Sequence, residues 1–414
     1  MKWKGPGWKQ LKRWKKVALA LLLLLLLAQI PFIYRRSQLG RLHAAIRQLN
    51  LERDTLQDGQ EYADYKGVMH VHSILGGHSR GSLAEIVEAA QAVNLNFVVM
   101  TEHPSRLLDT SAMTLQGEHG GVLFINGNEV RTASRDRLLL LPGNVEAATA
   151  DTASTQDLIS RNKTAGRLSF IAYPQEFRSW AVSDYDGIEV YNLYTNAGKI
   201  SAPLTFFDGL WSYWSYPELM FVRFYERPSD NLKRWDEIIA ARNGKVVAVA
   251  GSDAHANVGF GLGDLSGNFF IGFRLDPYQR IFQLVRTHVL IEKAQPLSAQ
   301  TLLAALADGH CYISFDLFCE ATGFSYSAEN GQVKKIMGDE IELGDGVRLT
   351  VQTPVKSRVV LIKDGQVVGE QDGTSRKEFP VKERGVYRVE AYLTQLGSLL
   401  KDKPWIISNP IYVR

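Results

Sequence analysis

Residues 67–105 read GVMHVHSILGGHSRGSLAEIVEAAQAVNLNFVVMTEHPS, and the rest of the chain is organised around them. A short apolar run, Val68-Met69, ends in His70-Val71-His72. A Gly/Ser-rich loop carrying His78 follows, then an amphipathic run over residues 83–93. A second apolar run, 97–100, ends in Thr101-Glu102-His103. This pattern predicts strand, loop, helix and strand, with imidazoles at both strand exits, and β/α proteins build their sites at the C-terminal ends of strands. Residues i and i+2 of a strand share a face. His70 and His72 are therefore expected to point the same way and to share a divalent ion of the Zn, Fe or Mn type. Taken alone, the pair equally suits a core His70 beside a surface His72.

Four later motifs change that balance. The run 124–129, Phe-Ile-Asn-Gly-Asn-Glu, ends in Glu129; Ile171-Ala172-Tyr173-Pro174, Gly187-Ile188-Glu189 and Gly251-Ser252-Asp253-Ala254-His255 also close apolar runs. Each motif by itself suits a turn. Together they set imidazoles and carboxylates at successive strand ends, which is the donor set of a divalent metal.

Apolar runs at 97–100, 122–125, 138–141, 168–172, 187–191 and 246–250 alternate with helical patterns at 155–164, 231–243 and 298–308. Such alternation predicts a largely parallel sheet or barrel from about 62 to 318. The pattern then changes. Short alternating runs with turn signals at Gly344-Asp345-Gly346, Asp364-Gly365 and Asp372-Gly373 predict a small all-β sandwich over 338–414, with a hairpin at Asp364-Gly365.

Before this block, residues 17–34 read VALALLLLLLLAQIPFIY, without a charge. At 1.5 Å per residue they cover roughly 27 Å, close to a bilayer core. An uncleaved anchor fits better than a signal peptide, since no small-x-small cleavage site follows the Leu tract. Lys2, Lys4, Lys9, Lys12, Arg13, Lys15 and Lys16 precede the run and outnumber Arg35 and Arg36 after it. They are expected to stay in the cytoplasm, placing the bulk of the chain outside it, in the periplasm of a Gram-negative cell. Trp3, Trp8 and Trp14 suit the headgroup zone. Leu39, Leu42, Ile46 and Leu49 form one stripe of a juxtamembrane helix over 37–61, lying on the globular part or pairing as a short dimeric coil. The expected units are thus an anchor at 1–36, the helix at 37–61, a β/α domain carrying the candidate metal donors at 62–337 and the tail at 338–414.

The formal net charge is +3, but the N-terminal cluster accounts for it and the remainder is mildly acidic. The globular part has no basic stripe, which argues against nucleic-acid binding. The two cysteines, Cys311 and Cys319, offer no thiolate metal motif and are read as buried thiols, with one disulfide the alternative. The aromatic-dense segment 206–225, preceding Arg227 and Lys233 and containing Arg223, suits core packing, a lid, a bilayer contact or a wall for an apolar substrate.

The order HxHS, T(D/E)H, GxE and GSDAH, carried by His70-Val71-His72-Ser73, Thr101-Glu102-His103, Gly127-Asn128-Glu129 and residues 251–255, resembles the polymerase and histidinol phosphatase (PHP) family of metal-dependent phosphoesterases. The resemblance covers about residues 62–318. It implies a distorted (β/α)7 barrel preceded by one transmembrane helix, with the tail resembling the β-sandwich of membrane or secreted relatives. It implies one complete metal site, His70, His72, Glu129 and Asp253. A further site would use His103, His255 and His78, with Ser79 where the family has an Asp. Tyr173 stands where the family has a His, and the remaining family site is not complete. One or two Mn, Zn or Fe ions are expected, acting on a small-molecule or lipid-linked phosphoester, with Tyr173, Arg131 and Arg178 as catalytic candidates. Carboxyl- or carbamate-ester hydrolysis by the same water is the alternative, and a non-catalytic scaffold with a decayed site is the alternative outside enzymes. His43, His119, His288 and His310 fall outside the motifs and are read as structural.

Overall fold

A computed structural model describes residues 12–54, 61–197, 202–242, 244–263, 269–331 and 333–414. Lys2, Lys4, Lys9, Trp3 and Trp8 lie outside the described residues, as do the side chains of Phe206, Arg223 and Phe224.

The opening stretch folds as read: β1 (Tyr62–Val71), a helix (Leu83–Ala92) and β2 (Phe97–Met100). The helix starts where it does because Ser82 and Glu85 form a reciprocal capping box that satisfies otherwise orphaned N–H groups. The site half continues with β3 (Val122–Ile125), β4 (Asn128–Arg131), β5 (Arg137–Leu141), β6 (Leu168–Ala172), β7 (Gly187–Asn192), β8 (Val247–Ala254), β9 (Arg286–Glu292) and β10 (Cys311–Ser314). β3, β2, β1, β8, β7 and β6 are parallel neighbours in that order. Their residues bury both faces: Phe97, Val99, Leu139, Phe170 and Val249 fill one apolar cluster, while Val98, Met100, Leu138, Ile171 and Ala248 fill another. Continuous apolar runs are what strands covered on both sides require.

The (β/α)7 barrel does not form. Nineteen strands join one mixed sheet, against ten α-helices among the described residues. β4, β5 and β6 pair antiparallel, with Asn128 opposite Leu140 and Arg137 opposite Ala172. Residues 132–136 between β4 and β5 are too few for the crossover a parallel pair needs, so a hairpin replaces a β/α unit. β9 also runs antiparallel to β1, and β10 to β9. Nor is the tail a separate sandwich: its Ile406–Ser408 strand pairs with β10, which carries the sheet into the C-terminal strands. Within that tail the hairpin expected at Asp364-Gly365 does form, with Lys363 opposite Gln366 and both turn residues at positive φ. Asp372-Gly373, expected as a turn between strands, instead lies inside the long Gln366–Val381 strand.

At the N-terminus, helices Arg13–Leu27 and Ile30–Leu51 adjoin across a two-residue turn. Residues 17–28 are exposed throughout, and the helical span Arg13–Leu51 is long and apolar enough, by length and composition, to cross a membrane. Further along, Leu39, Leu42 and Leu49 are buried in the main core cluster, so the second helix lies on the globular part. Gly40 permits that approach: a Cβ there would sit 2.8 Å from the Tyr216 hydroxyl.

Candidate metal centre

His70 on β1, His72 just past its end, Glu129 on β4 and Asp253 on β8 converge, and all four are buried. The i, i+2 argument reaches the right pair for an incomplete reason. His70 has φ 64°, and the pairing of β1 with both neighbours slips between Val68 or Met69 and Val71. A bulge at His70 therefore breaks the pleat and re-aims its ring, which lies 5.1 Å from that of His72 between centroids. Tyr173 (φ 47°) and Asp253 (φ 50°) are also left-handed. Non-glycine residues in this region each cost on the order of 1–3 kcal/mol, and such strain gathers at functional sites.

His70 Nε2 lies 3.2 Å from Glu129 Oε2 and 3.5 Å from Asp253 Oδ1; His72 Nε2 lies 3.3 and 3.5 Å from the same two oxygens. Donors bound at about 2.0–2.1 Å to a tetrahedral ion stand about 3.3 Å apart. Four edges of a tetrahedron are thus already drawn by protein atoms. Asp253 Oδ1 and both ring nitrogens of His72 are buried without a hydrogen-bond partner. Orphaned buried polar atoms are costly, and a cation at the centre would satisfy Oδ1 and Nε2 together. The residues present fit a divalent metal.

The surroundings fix these donors. Glu189 Oε1 takes the Nδ1 proton of His70 at 2.6 Å, leaving Nε2 for the ion. Gly251 makes that contact possible, because a Cβ there would fall 1.6 Å from Glu189 Oε1. Asn192 donates to the other oxygen of Glu189 at 3.2 Å. Tyr173 donates its hydroxyl to Asp253 Oδ2 at 2.5 Å, which directs Oδ1 inward. Arg137 donates to Glu129 Oε1 at 3.2 Å and stacks over the Tyr173 ring at 4.6 Å.

Nearer the mouth, His78 Nε2 lies 2.6 Å from His255 Nε2 and 3.2 Å from His103 Nε2, and His103 Nε2 lies 3.5 Å from Glu129 Oε2. His72, His78 and His255 form a second potential ligand group sharing His72 with the first. Ser79 is not a ligand; its hydroxyl donates to the His255 carbonyl at 2.6 Å and meets Tyr278 Oη at 3.0 Å. Glu102 neither orients a ligand imidazole nor faces solvent. Fully buried, it accepts the Ser73 N–H with both oxygens at 3.1 Å and the Thr114 hydroxyl, tying down the loop that carries His78.

Protonation states suit this role. Burial by itself would raise the carboxyls of Glu129 and Asp253, but the facing imidazoles His70 and His72 hold both below the usual range. Burial, reinforced by His72, pushes His103 down to about 4 and His255 to about 3, so both are neutral donors. Burial opposes charge on His70 and His72, yet Glu189, Asp253 and Glu129 outweigh it at His70, and Asp253 and Glu129 at His72, so both are raised. These two rings would have to give up a proton to hold an ion in the inner site.

A cavity of about 410 Å³ opens over the centre, lined by Gly77, His78, His103, Glu129, Arg131 and Arg137 among others. Arg131 is exposed at this mouth, as an anion contact would be. Arg178 is not a lining residue; it is exposed, and its backbone N–H donates to Asp136 at 2.7 Å. Tyr173 sits beneath the centre as a positioning group on Asp253. Sequence reasoning missed Arg137 and the part played by Glu189. Glu189 closes a strand-exit motif that was visible, whereas Arg137 reaches the site only because the β4–β5 hairpin folds it back opposite Arg131.

No protein-family model and no curated protein matches this chain. Among solved structures, the crystal structure of PsfC from Pseudomonas syringae PB-5123 aligns over 61% of this chain and 92% of that chain, at 14% identity and a TM-score of 0.38. A likeness that loose carries no argument about fold or activity.

Proposed function

We propose that this chain is a membrane-anchored metal-dependent hydrolase acting on phosphoesters, with one or two Mn, Zn or Fe ions. The observation that carries this reading is the set of four buried donor atoms, whose imidazole–carboxylate distances are 3.2–3.5 Å and which all lie within 4.8 Å of one another. The motif resemblance to the PHP family supports it, independently of the barrel that does not form.

His70, His72, Glu129 and Asp253 would hold the inner ion, and His78, His103 and His255 a second. A bound divalent ion supplies a water of near-neutral pKa and polarises the scissile bond. Arg131 and Arg137 at the mouth bind the anionic group and orient it. Tyr173 and Glu189 hold Asp253 and His70 in place throughout. Glu102 keeps the His78 loop closed over the centre. The basic residues before the anchor keep the N-terminus in the cytoplasm, so the centre works on the extracytoplasmic side.

The test uses the full chain, because a fragment beginning at Tyr62 would strip Leu39, Leu42 and Leu49 from the core. Metal-replete protein is expected to hold one to two equivalents by elemental analysis and to cleave p-nitrophenyl phosphate or a diester. Absence of bound metal after repletion would overturn the hydrolase reading. Much faster turnover of carboxyl or carbamate esters would move the substrate class but keep the centre. For sidedness, alkaline phosphatase fused after Arg414 should be active, and fluorescence from a reporter that matures only in the cytoplasm would refute the orientation.

A further inference from the structure

We propose that the Ala202–Ser212 helix, with Trp214 just beyond it, lies in the headgroup layer of the bilayer that the N-terminal helix crosses, as a second membrane contact. The inference rests on the transmembrane reading of residues 17–34 and is independent of the hydrolytic one.

The helix is inside-out. An ordinary surface helix buries its apolar stripe and exposes its polar face. Here Asp208 and Ser212 are fully buried, while Leu204, Leu210 and Trp214 are exposed, Trp214 by 80%. Large exposed apolar faces mark a contact surface.

What covers this face follows from what holds the other. Trp211 Nε1 donates to Gln29 Oε1 at 3.0 Å, Phe207 meets Phe32 at 5.5 Å between ring centroids, Asp208 pairs with Arg35 at 2.8 Å, and Ser215 Oγ accepts from Arg36 at 2.9 Å. All four partners belong to residues 29–36, where the apolar run gives way to arginines. From the first to the last of these eight residues a helix rises about 10 Å, which covers the interfacial layer of roughly 5–8 Å that flanks a bilayer core. Whatever is bonded to this stretch is held at that depth. Aromatic rings with one polar end favour that layer. The helix is also tied to the metal centre's rim. Tyr213 donates to the Arg274 carbonyl at 3.1 Å, and Arg274 reaches the carbonyl of Arg80, two residues from His78. The contact therefore sets the height of the centre above the lipid.

The experiment places the full chain in nanodiscs of phosphatidylcholine and phosphatidylglycerol, with a nitroxide on L210C, on L23C as the bilayer reference or on V368C as the solvent reference. The native cysteines are buried, so labelling falls on the introduced thiol. Collisions with dissolved oxygen and with a water-soluble nickel chelate are then compared. The label at 210 is expected to favour oxygen over nickel several-fold more than the label at 368. If 23 reads as bilayer and 210 matches 368, the contact is refuted with the anchor intact. If 210 is sheltered from both reagents, a protein surface such as a second copy covers the face, and the proposal fails. If 23 itself reads as water, the anchor reading fails and takes the contact with it.

Discussion

Strand β1 carries a buried histidine–carboxylate cluster near each end, and only one of them has room for a ligand. At its start, Asp64 binds His288 Nδ1 at 2.8 Å, and Asp316 meets the other ring nitrogen at 3.3 Å. Arg286 pairs with Asp316 at 2.9 Å, Tyr312 donates to Asp64 at 2.7 Å, and backbone N–H groups of Gly323 and Ala321 fill further carboxylate lone pairs. Two cations face two anions and both ring nitrogens are occupied. At the far end His70 and His72 face Glu129 and Asp253, but Asp253 Oδ1 and the nitrogens of His72 have no hydrogen-bond partner. The same residue types therefore form a strut in one place and a binding site in the other. Saturation of donors and acceptors, not burial, separates the two.

The sharpest break of this comparison is loss of the unsaturated cluster. H70A or D253N should remove about one equivalent of metal and cut phosphoesterase turnover by several orders of magnitude, read by elemental analysis and steady-state kinetics. Full metal content in either variant would place the ion elsewhere.

H288Q should do the reverse, costing about 3–5 kcal/mol in denaturant unfolding because it leaves buried charges unpaired, with metal content unchanged. Burial disfavours the charged ring of His288, but Asp64 and Asp316 prevail and lift its pKa to about 9. A folded-state value above the unfolded 6.5 favours the protonated native form. That contribution, on the order of 3 kcal/mol, is complete below about pH 6.5 and lost as pH rises through about 9. Wild-type stability should fall across this window, and H288Q should flatten the fall. If the variant instead loses metal, the two clusters are coupled through β1.

Glu189→Gln tests the boundary between strut and site. Losing the carboxylate that fixes His70 should weaken metal affinity roughly 10–100-fold while the fold stays intact, as isothermal titration would report. The smallest effect is expected from Arg137→Ala. Substrate KM should rise roughly tenfold, about 1.4 kcal/mol of anion binding, with kcat changed less. An unchanged KM would leave Arg137 as support for Glu129 alone.

Much of this site was legible in the chain because metal chemistry restricts residue type. Imidazoles and carboxylates after apolar runs at 70–72, 103, 129 and 253–255 identify a donor set wherever the strands go. The apolar stripe at Leu39, Leu42 and Leu49 and the hairpin at Asp364-Gly365 were equally visible, since helix periodicity and positive-φ turns are local properties.

Strand order was not visible. Apolar runs buried on both faces look alike whether their neighbours are parallel or antiparallel, so the alternation suggested a barrel where β4–β5–β6 make a meander and the tail joins the same sheet through β10. Residue chemistry and local periodicity thus determined which side chains could hold a metal and which helix is apolar enough for a membrane. Tertiary structure alone decided that a bulge aims His70 at Glu129, that Glu189 and Arg137 support the centre, and that His288 is saturated. Each of these depends on which distant backbone lies alongside, a property that no short window of sequence contains.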